Sequence, residues 1–289
     1  MEIFDSGEVD PGPYLWRFLS SSPGQAVRNE LGWLGGGRNT PLACATGAYS
    51  IGLAFEDLRA GRLSAALAGA SEASLTPLIV AAFAQLGALT DSQDRAGLRG
   101  PFDRRSTGFV LGEAGAALVL ESEAGMERTG HRPLAELKGW ACTCDAWHLT
   151  SPLPGGLQAA RCLRITLDES GLKPEDVGYV NAHGTGTEAG DLAEAAALRL
   201  VFGEVKGPRV SSVKGATGHT LGASGALEAA VTVQALADGI LPANTACREP
   251  LPALAPWLAL EAEPLRSGAA LSLSMGFGGH NVALLFTRA

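Results

Sequence analysis

Short, almost wholly apolar runs alternate along this chain with segments whose apolar positions recur three and four residues apart, and glycine-rich turns join the two. Runs such as Ala65 to Ala70, Ala114 to Leu120 and Val177 to Ala182 have no polar face. Strands built from them must therefore be covered on both sides, which points to an α/β sheet buried between helix layers. The segment Leu221 to Leu236 is apolar almost all round. A helix of that kind belongs between sheets rather than on a surface.

The same grammar predicts the other elements. Helices are expected over Ala45 to Arg62, over Thr76 to Leu86 with Thr76 as cap and Pro77 in the first turn, and over Glu121 to Thr129, Gly155 to Gly171 and Glu188 to Phe202. Strands are expected over Gly112 to Leu120, from about Pro133 to Cys144, and over Arg209 to Val213, Leu271 to Met275 and Val282 to Phe286. Residues 1 to 40 are rich in Pro, Gly and Ser and read as a lead-in, with helical character only over Gly24 to Leu34. A buried apolar strand is expected to end at Cys44.

The length of 289 residues allows one large domain or two smaller ones. Hydrophobic residues make up 46% and charged residues 18%, a packed globular composition rather than a disordered one. The net charge is −8 and no Lys/Arg-rich run occurs, which argues against nucleic-acid partners. No apolar run reaches the ~18 residues of a membrane span. The acidic start, Met1 to Asp5, lacks the pattern of a signal peptide. Five cysteines, an odd number without paired spacings, fit a reducing cytoplasm better than a disulfide framework. Cys142 and Cys144 would point to one strand face, but no second ligand pair at zinc spacing accompanies them, so no metal is expected.

Chemistry concentrates at three junctions. Cys44 lies at the start of a predicted helix, where free N–H groups and the helix dipole favour an anion; a thiol there is expected to ionise below its ordinary value of about 8.5 and act as a nucleophile. The alternative is a small buried core residue. His183 opens His183-Gly184-Thr185-Gly186-Thr187 directly after a strand, and His219 lies in Lys214 to Gly222, again between strand and helix. A strand-end histidine taken alone is more often structural; two in matched settings with a cysteine point to one dispersed active site.

Taken together, the chain resembles the β-ketoacyl-acyl-carrier-protein synthases, condensing enzymes of the thiolase superfamily. The matching segments are Ala43 to Gly47, Phe102-Asp103 followed by Gly108 to Glu113, His183 to Thr187, Lys214 to Gly222, and Gly276-Phe277-Gly278-Gly279-His280-Asn281. The resemblance implies a thiolase-like layered αβαβα fold with two similar halves, over 1–122 and 123–289, the first incomplete. It implies Cys44 as acyl acceptor, with His183 and His219 stabilising the enolate formed as a malonyl unit loses carbon dioxide. Backbone N–H groups of Cys44 and Phe277 would form the oxyanion hole, Phe277 also gating the pocket. Lys214 and Glu194 would be a supporting ion pair, with Asp191, Gly276, Gly278 and Asn281 around them. For Asp191 and Glu194 the plainer reading is helix N-terminal acids favoured by the dipole, and for Phe277 core packing. Asp145 to Pro152 resembles a loop at the pocket entrance, in which His148 is expected to be structural.

No bound cofactor is implied; substrates would ride on the phosphopantetheine of acyl carrier protein, with the chain a homodimer or a heterodimer with another synthase-like chain, in the cytoplasm. Arg104 and Arg105 are the expected docking handles for that acidic partner, because Ser106 and Thr107 stand where the family pattern has Arg-Asp. Leu273-Ser274-Met275 replaces the family's Asn-Ser-Phe. Only 43 residues precede Cys44, fewer than in complete synthases, so an exposed apolar edge is expected unless another chain covers it. Two other functions compete. A chain-length-determining partner subunit keeps the fold but lacks the nucleophile, whereas Cys44 is present here. A thiolase acting on coenzyme A thioesters would carry a second cysteine in the C-terminal glycine turn, and none is there.

Overall fold

The structure is a computed structural model that describes residues 19, 21–94, 96–203 and 207–289; the Met1 to Asp5 segment lies outside them. The chain divides into two compact units, Met1–Pro41 and Leu42–Ala289. In the first, helix α1 (Ser22–Leu31) starts at a proline and ends on Gly32 in the left-handed conformation, which stops it short of Leu34. The rest concerns the second unit.

Its elements follow the predicted alternation: α2 (Thr46–Arg59), β1 (Ala65–Glu72), α3 (Pro77–Gln85), β2 (Ala114–Glu121), α4 (Glu123–Thr129), β3 (Ala135–Cys144), α5 (Leu157–Ser170), β4 (Val177–Asn181), α6 (Glu188–Phe202), β5 (Arg209–Ser211), α7 (Lys214–Thr217), α8 (Ser224–Asp238), β6 (Ile240–Leu241), β7 (Glu263–Pro264), β8 (Ala269–Gly276) and β9 (His280–Arg288). Thr76 caps α3, accepting from the backbone of Ile79. The β6–β7 pair and the one-turn α7 were not anticipated; residues 214–217 coil because the N–H groups of Ala216 and Thr217 bond back to Val213 and that of Gly218 to Lys214.

A five-stranded mixed sheet, in the order β3-β9-β8-β4-β5, runs parallel from β8 through β4 to β5 and antiparallel at β3, β9 and β8. β1 and β2 form a separate antiparallel pair. Helices α2 and α8 pack between this pair and one face of the larger sheet, where Ala48, Ile51, Ala226 and Leu236 meet Ala68, Val282, Leu284 and Phe286. Helices α5 and α6 cover the other face through Leu163, Leu167 and Leu198. Each buried leucine-sized side chain contributes about 1.5–3 kcal/mol. α2 and α8 touch almost backbone to backbone. A Cβ on Gly47 would stand 2.3 Å from the Ala226 nitrogen, and one on Gly225 would stand 2.6 Å from that of Ala48. Only glycine permits that crossing.

Leu75, Leu78, Val80 and Leu86, on and beside α3, and Val119 on β2 are exposed. No helix among the described residues is long and apolar enough to cross a membrane.

Candidate active site

The predicted strand before Cys44 is absent. Leu42 to Ala45 instead makes a tight turn, with Ala43 at φ 46° and the Ala45 N–H bonded to the Leu42 carbonyl. Thr46 ties this turn down: its hydroxyl accepts from the Leu42 N–H at 2.7 Å and donates to the Ala43 carbonyl at 2.8 Å. Cys44 therefore sits immediately before Ala45, the N-cap of α2. Gly276 passes so close that a Cβ on it would lie 3.2 Å from the Ala45 nitrogen and 3.3 Å from that of Cys44. The turn after β8 needs glycine again at Gly278, where φ is 85°.

Cys44, His183, His219, Phe277 and Asn281 line one cavity of about 200 Å³, together with Phe109, Asp145, Thr150, Thr185, Thr187 and Met275. The two imidazoles meet edge to face with ring centroids 5.3 Å apart, and Phe109 packs against His219 at 4.9 Å. His183 follows the end of β4 and His219 follows α7, so the carboxyl ends of adjacent parallel strands deliver both rings to one place. Residues 183–186 are pinned from α6. Glu194 accepts from the N–H groups of His183 and Gly184, both at 2.7 Å. Asp191 accepts from Phe102, Thr185 and Gly186.

Burial governs the protonation states. It pushes the Cys44 thiol up to about 11, against the pull of Lys214 and of hydrogen bonds from the backbone N–H groups of Phe277 and Cys44 itself. The shift is opposite to the expected lowering: loss of hydration outweighs the Lys214 charge and those two hydrogen bonds. Burial, and after it the charge of Lys214, holds both imidazoles well below the ordinary histidine value, so both are neutral. The same burial raises Asp191 to about 6, Glu194 to about 8 and Glu228 to about 7.

Two domain models of known proteins match the chain, the N-terminal domain of β-ketoacyl synthases over residues 31–125 and their C-terminal domain over 134–248. The 3-oxoacyl-[acyl-carrier-protein] synthase 2 of Synechocystis sp. is 41% identical over 99% of this chain and 70% of its own length. The chain belongs to the β-ketoacyl synthase family. It is a condensing acyltransferase of the 3-oxoacyl-[acyl-carrier-protein] synthase type, spanning about 70% of the length of that relative. Among solved structures, a type II polyketide ketosynthase bound to the hexaketide, in complex with its acyl-carrier protein, superposes with a TM-score of 0.90 at 31% identity, over 94% of this chain and 68% of that one. The ishigamide ketosynthase/chain length factor gives 0.85 at 33% identity, over 92% and 64%. The α/β ketosynthase fold, a mixed sheet flanked by helices, accounts for both likenesses.

One pairing in this synthase differs from the sequence expectation. Lys214 is buried against Glu228 of α8, not Glu194, whose two oxygens are occupied by the 183–184 backbone. Lys214 also bonds the His183 carbonyl and lies 3.2 Å from His183 Nδ1. Glu228 was missed, although a carboxylate among the apolar residues of the first turns of α8 was the available signal. Asn281 donates to Asp145 at 2.8 Å, and its own oxygen has no partner among the described residues. His148 is exposed, and its Nδ1 accepts from the Thr150 and Ser151 N–H groups in the loop beside the cavity. Arg104 and Arg105 are exposed, and both pair with Glu249. Cys142 and Cys144 are exposed on β3 and do not line the cavity, although the Cys144 thiol bonds the Gly278 carbonyl at 3.5 Å.

Proposed function

We propose that Cys44 accepts the acyl group and that His183 and His219 stabilise the enolate of a malonyl thioester, in fatty-acid or polyketide assembly. The observation that carries this reading is the single cavity shared by the thiol, two neutral imidazoles and the Phe277 turn. In the first half-reaction the Cys44 sulfur attacks an acyl thioester, its proton ends on the departing pantetheine thiol, and an acyl-Cys44 remains. In the second, the bond to the malonyl carboxylate breaks, carbon dioxide leaves, and the electron pair forms an enolate whose oxygen accepts from the two rings. The enolate carbon then attacks the acyl-Cys44 carbonyl. The resulting oxyanion lies against the N–H groups of Cys44 and Phe277 until the carbon–sulfur bond breaks and the thiolate takes a proton from solvent.

Neutral rings suit this role, since they donate from one nitrogen without lending a full charge to the resting site. Lys214 lies within hydrogen-bond reach of His183 Nδ1 and, as an ammonium, has only protons to offer. It thereby leaves the His183 proton on Nε2. Glu194 and Asp191 act on the backbone that carries His183, Gly276 and Gly278 let the oxyanion turn approach, and Asn281 orients Asp145 at the cavity wall.

The substrate arm is the phosphopantetheine of an acyl carrier protein, and no bound cofactor takes part. Arg104 and Arg105 share one carboxylate, which leaves one uncompensated positive charge for that acidic partner. The finer architecture is a thiolase-like αβαβα layering with halves at 1–122 and 123–289, in a cytoplasmic dimer of like or synthase-like chains. Domain matches over 31–125 and 134–248 support the division. The paired structures support the assembly, and the presence of Cys44 favours an enzyme over a non-catalytic partner subunit.

The test is acylation by an acyl thioester followed by peptide mass mapping, with malonyl decarboxylation measured in parallel. Acyl mass on Cys44, and loss of decarboxylation but not of acylation in folded His219→Ala, is the expected outcome. No acyl mass on Cys44, or loss of both steps together, removes the division of roles.

A further inference from the structure

His219 Nδ1 lies 3.0 Å from the hydroxyl of Ser224, the first residue of α8, and that hydroxyl lies 3.1 Å from the hydroxyl of Thr220. All three side chains are buried, and no protein atom bonds the His219 Nε2 among the described residues. The ring is neutral, so it carries one proton, on Nδ1 or on Nε2. Which nitrogen holds it decides whether the ring can donate into the cavity at all.

The hydroxyl protons can be placed with the ring proton on either nitrogen. In one, Thr220 donates to Ser224, Ser224 donates to His219 Nδ1, and the ring proton sits on Nε2. Both hydroxyl protons then have an acceptor, and the ring N–H belongs to a side chain that lines the cavity. In the other, Nδ1–H donates to Ser224 and Ser224 donates to Thr220, which leaves the Thr220 proton without an acceptor among the described residues, at a side chain only 1% exposed. A buried donor without an acceptor disfavours that arrangement by about tenfold or more.

We propose that Ser224 is a positioning residue: its hydroxyl, backed by Thr220, donates to His219 Nδ1 and holds the ring as the Nε2–H tautomer that donates to the malonyl thioester oxygen. The inference rests on the proposed role of His219 as that donor. It also pairs the two rings, because Lys214 supplies a proton to His183 Nδ1 where Ser224 supplies one to His219 Nδ1. One ring has its tautomer set by a cation and the other by a neutral hydroxyl. The Phe109 and His183 rings, edge to face on either contact, restrict the imidazole from turning over.

The test is a long-range proton–nitrogen correlation spectrum of protein labelled with nitrogen-15 histidine, the His219 signals being those absent from His219→Asn. The wild-type chain is expected to show the proton on Nε2. In Ser224→Ala the donor to Nδ1 is gone, and the Nδ1–H form should rise to a detectable fraction of the population. In Thr220→Val the Ser224 proton keeps Nδ1 as acceptor, so the Nε2–H form should persist. Ser224→Ala should also lower kcat for malonyl decarboxylation about tenfold with KM within about twofold, and leave Cys44 acylation intact. A wild-type proton on Nδ1, or an unchanged tautomer in folded Ser224→Ala, overturns the proposal. The expected tautomer shift in a protein that never decarboxylates malonyl thioesters would instead support the hydroxyl relay and remove the catalytic role of His219.

Discussion

Lys214 Nζ lies 3.2 Å from Nδ1 of His183 while the same ammonium is paired with Glu228, so one buried cation joins helix α8 to the turn that carries the imidazole. Such a pair is asymmetric in energy. Making it yields little net stability, because both groups lose hydration, yet removing one partner strands the other.

Lys214→Met is therefore expected to destabilise the fold by about 3–5 kcal/mol, since Glu228 would remain buried without its cation. Lys214→Met combined with Glu228→Leu should recover much of that loss. Urea unfolding of the single and double variants measures both. Equal loss in the two would show that the pair itself carries no such penalty.

Cys44 should alkylate slowly at neutral pH and about tenfold faster per pH unit until about pH 11, because burial keeps it a thiol below that point. The exposed Cys142 and Cys144 should react first with iodoacetamide, whereas an acyl thioester should load Cys44. Site-resolved labelling rates between pH 7 and 10.5 read this out, on the scale of roughly 8.5 for a free thiol. A Cys44 plateau near neutral pH would mean that the helix start prevails over burial after all.

That outcome for Cys44 shows where reading residues in order succeeds and where it stops. The helix after Cys44 and the strand before His183 follow from periodicity, which is local; Ile51, Val180 and Leu198 are buried as their spacing requires. Convergence of Cys44, His183 and His219 was legible because each lay beside a glycine-bearing turn at an element end. The thiol's raised value was not, because desolvation depends on what surrounds the turn. Nor was the partner of Lys214, since Glu194 and Glu228 are both acids on helices and only the path of residues 214–224 decides which faces the ammonium. The Ser224 hydroxyl lies one short turn from His219 in sequence, yet its bond depends on how the chain coils over Leu221–Ala223.

Stability should fall as pH rises from 7 to 8. Burial lifts Glu194 to about 8 from an ordinary 4.5, so the native protein holds a proton that the unfolded chain has released. The loss begins near 4.5 and ends above 8; Asp191, at about 6, and Glu228, at about 7, add to its lower part. Between 7 and 8 Glu194 is the main source. Glu194→Gln should flatten thermal midpoints over that interval, and an undiminished slope would place the proton elsewhere.

Gly47→Ala should cost about 1–3 kcal/mol, the range for overpacking a tight core, and lower condensing activity more than a surface change of equal destabilisation. The added methyl would begin 2.3 Å from the Ala226 nitrogen and 2.8 Å from its Cβ, so α2 and α8 must part. α2 begins beside the nucleophile, and α8 carries both Ser224 and Glu228. Separating the helices therefore moves Cys44 away from the groups that orient His183 and His219, whereas a distant substitution of equal energetic effect leaves their spacing intact. Comparing Gly47→Ala with Gly61→Ala isolates the effect, because a methyl added at Gly61 would meet no atom within 4 Å and brings only the strain of a φ of 69°. Equal activity per folded molecule in both variants would disconnect the crossing of α2 and α8 from the alignment of the site.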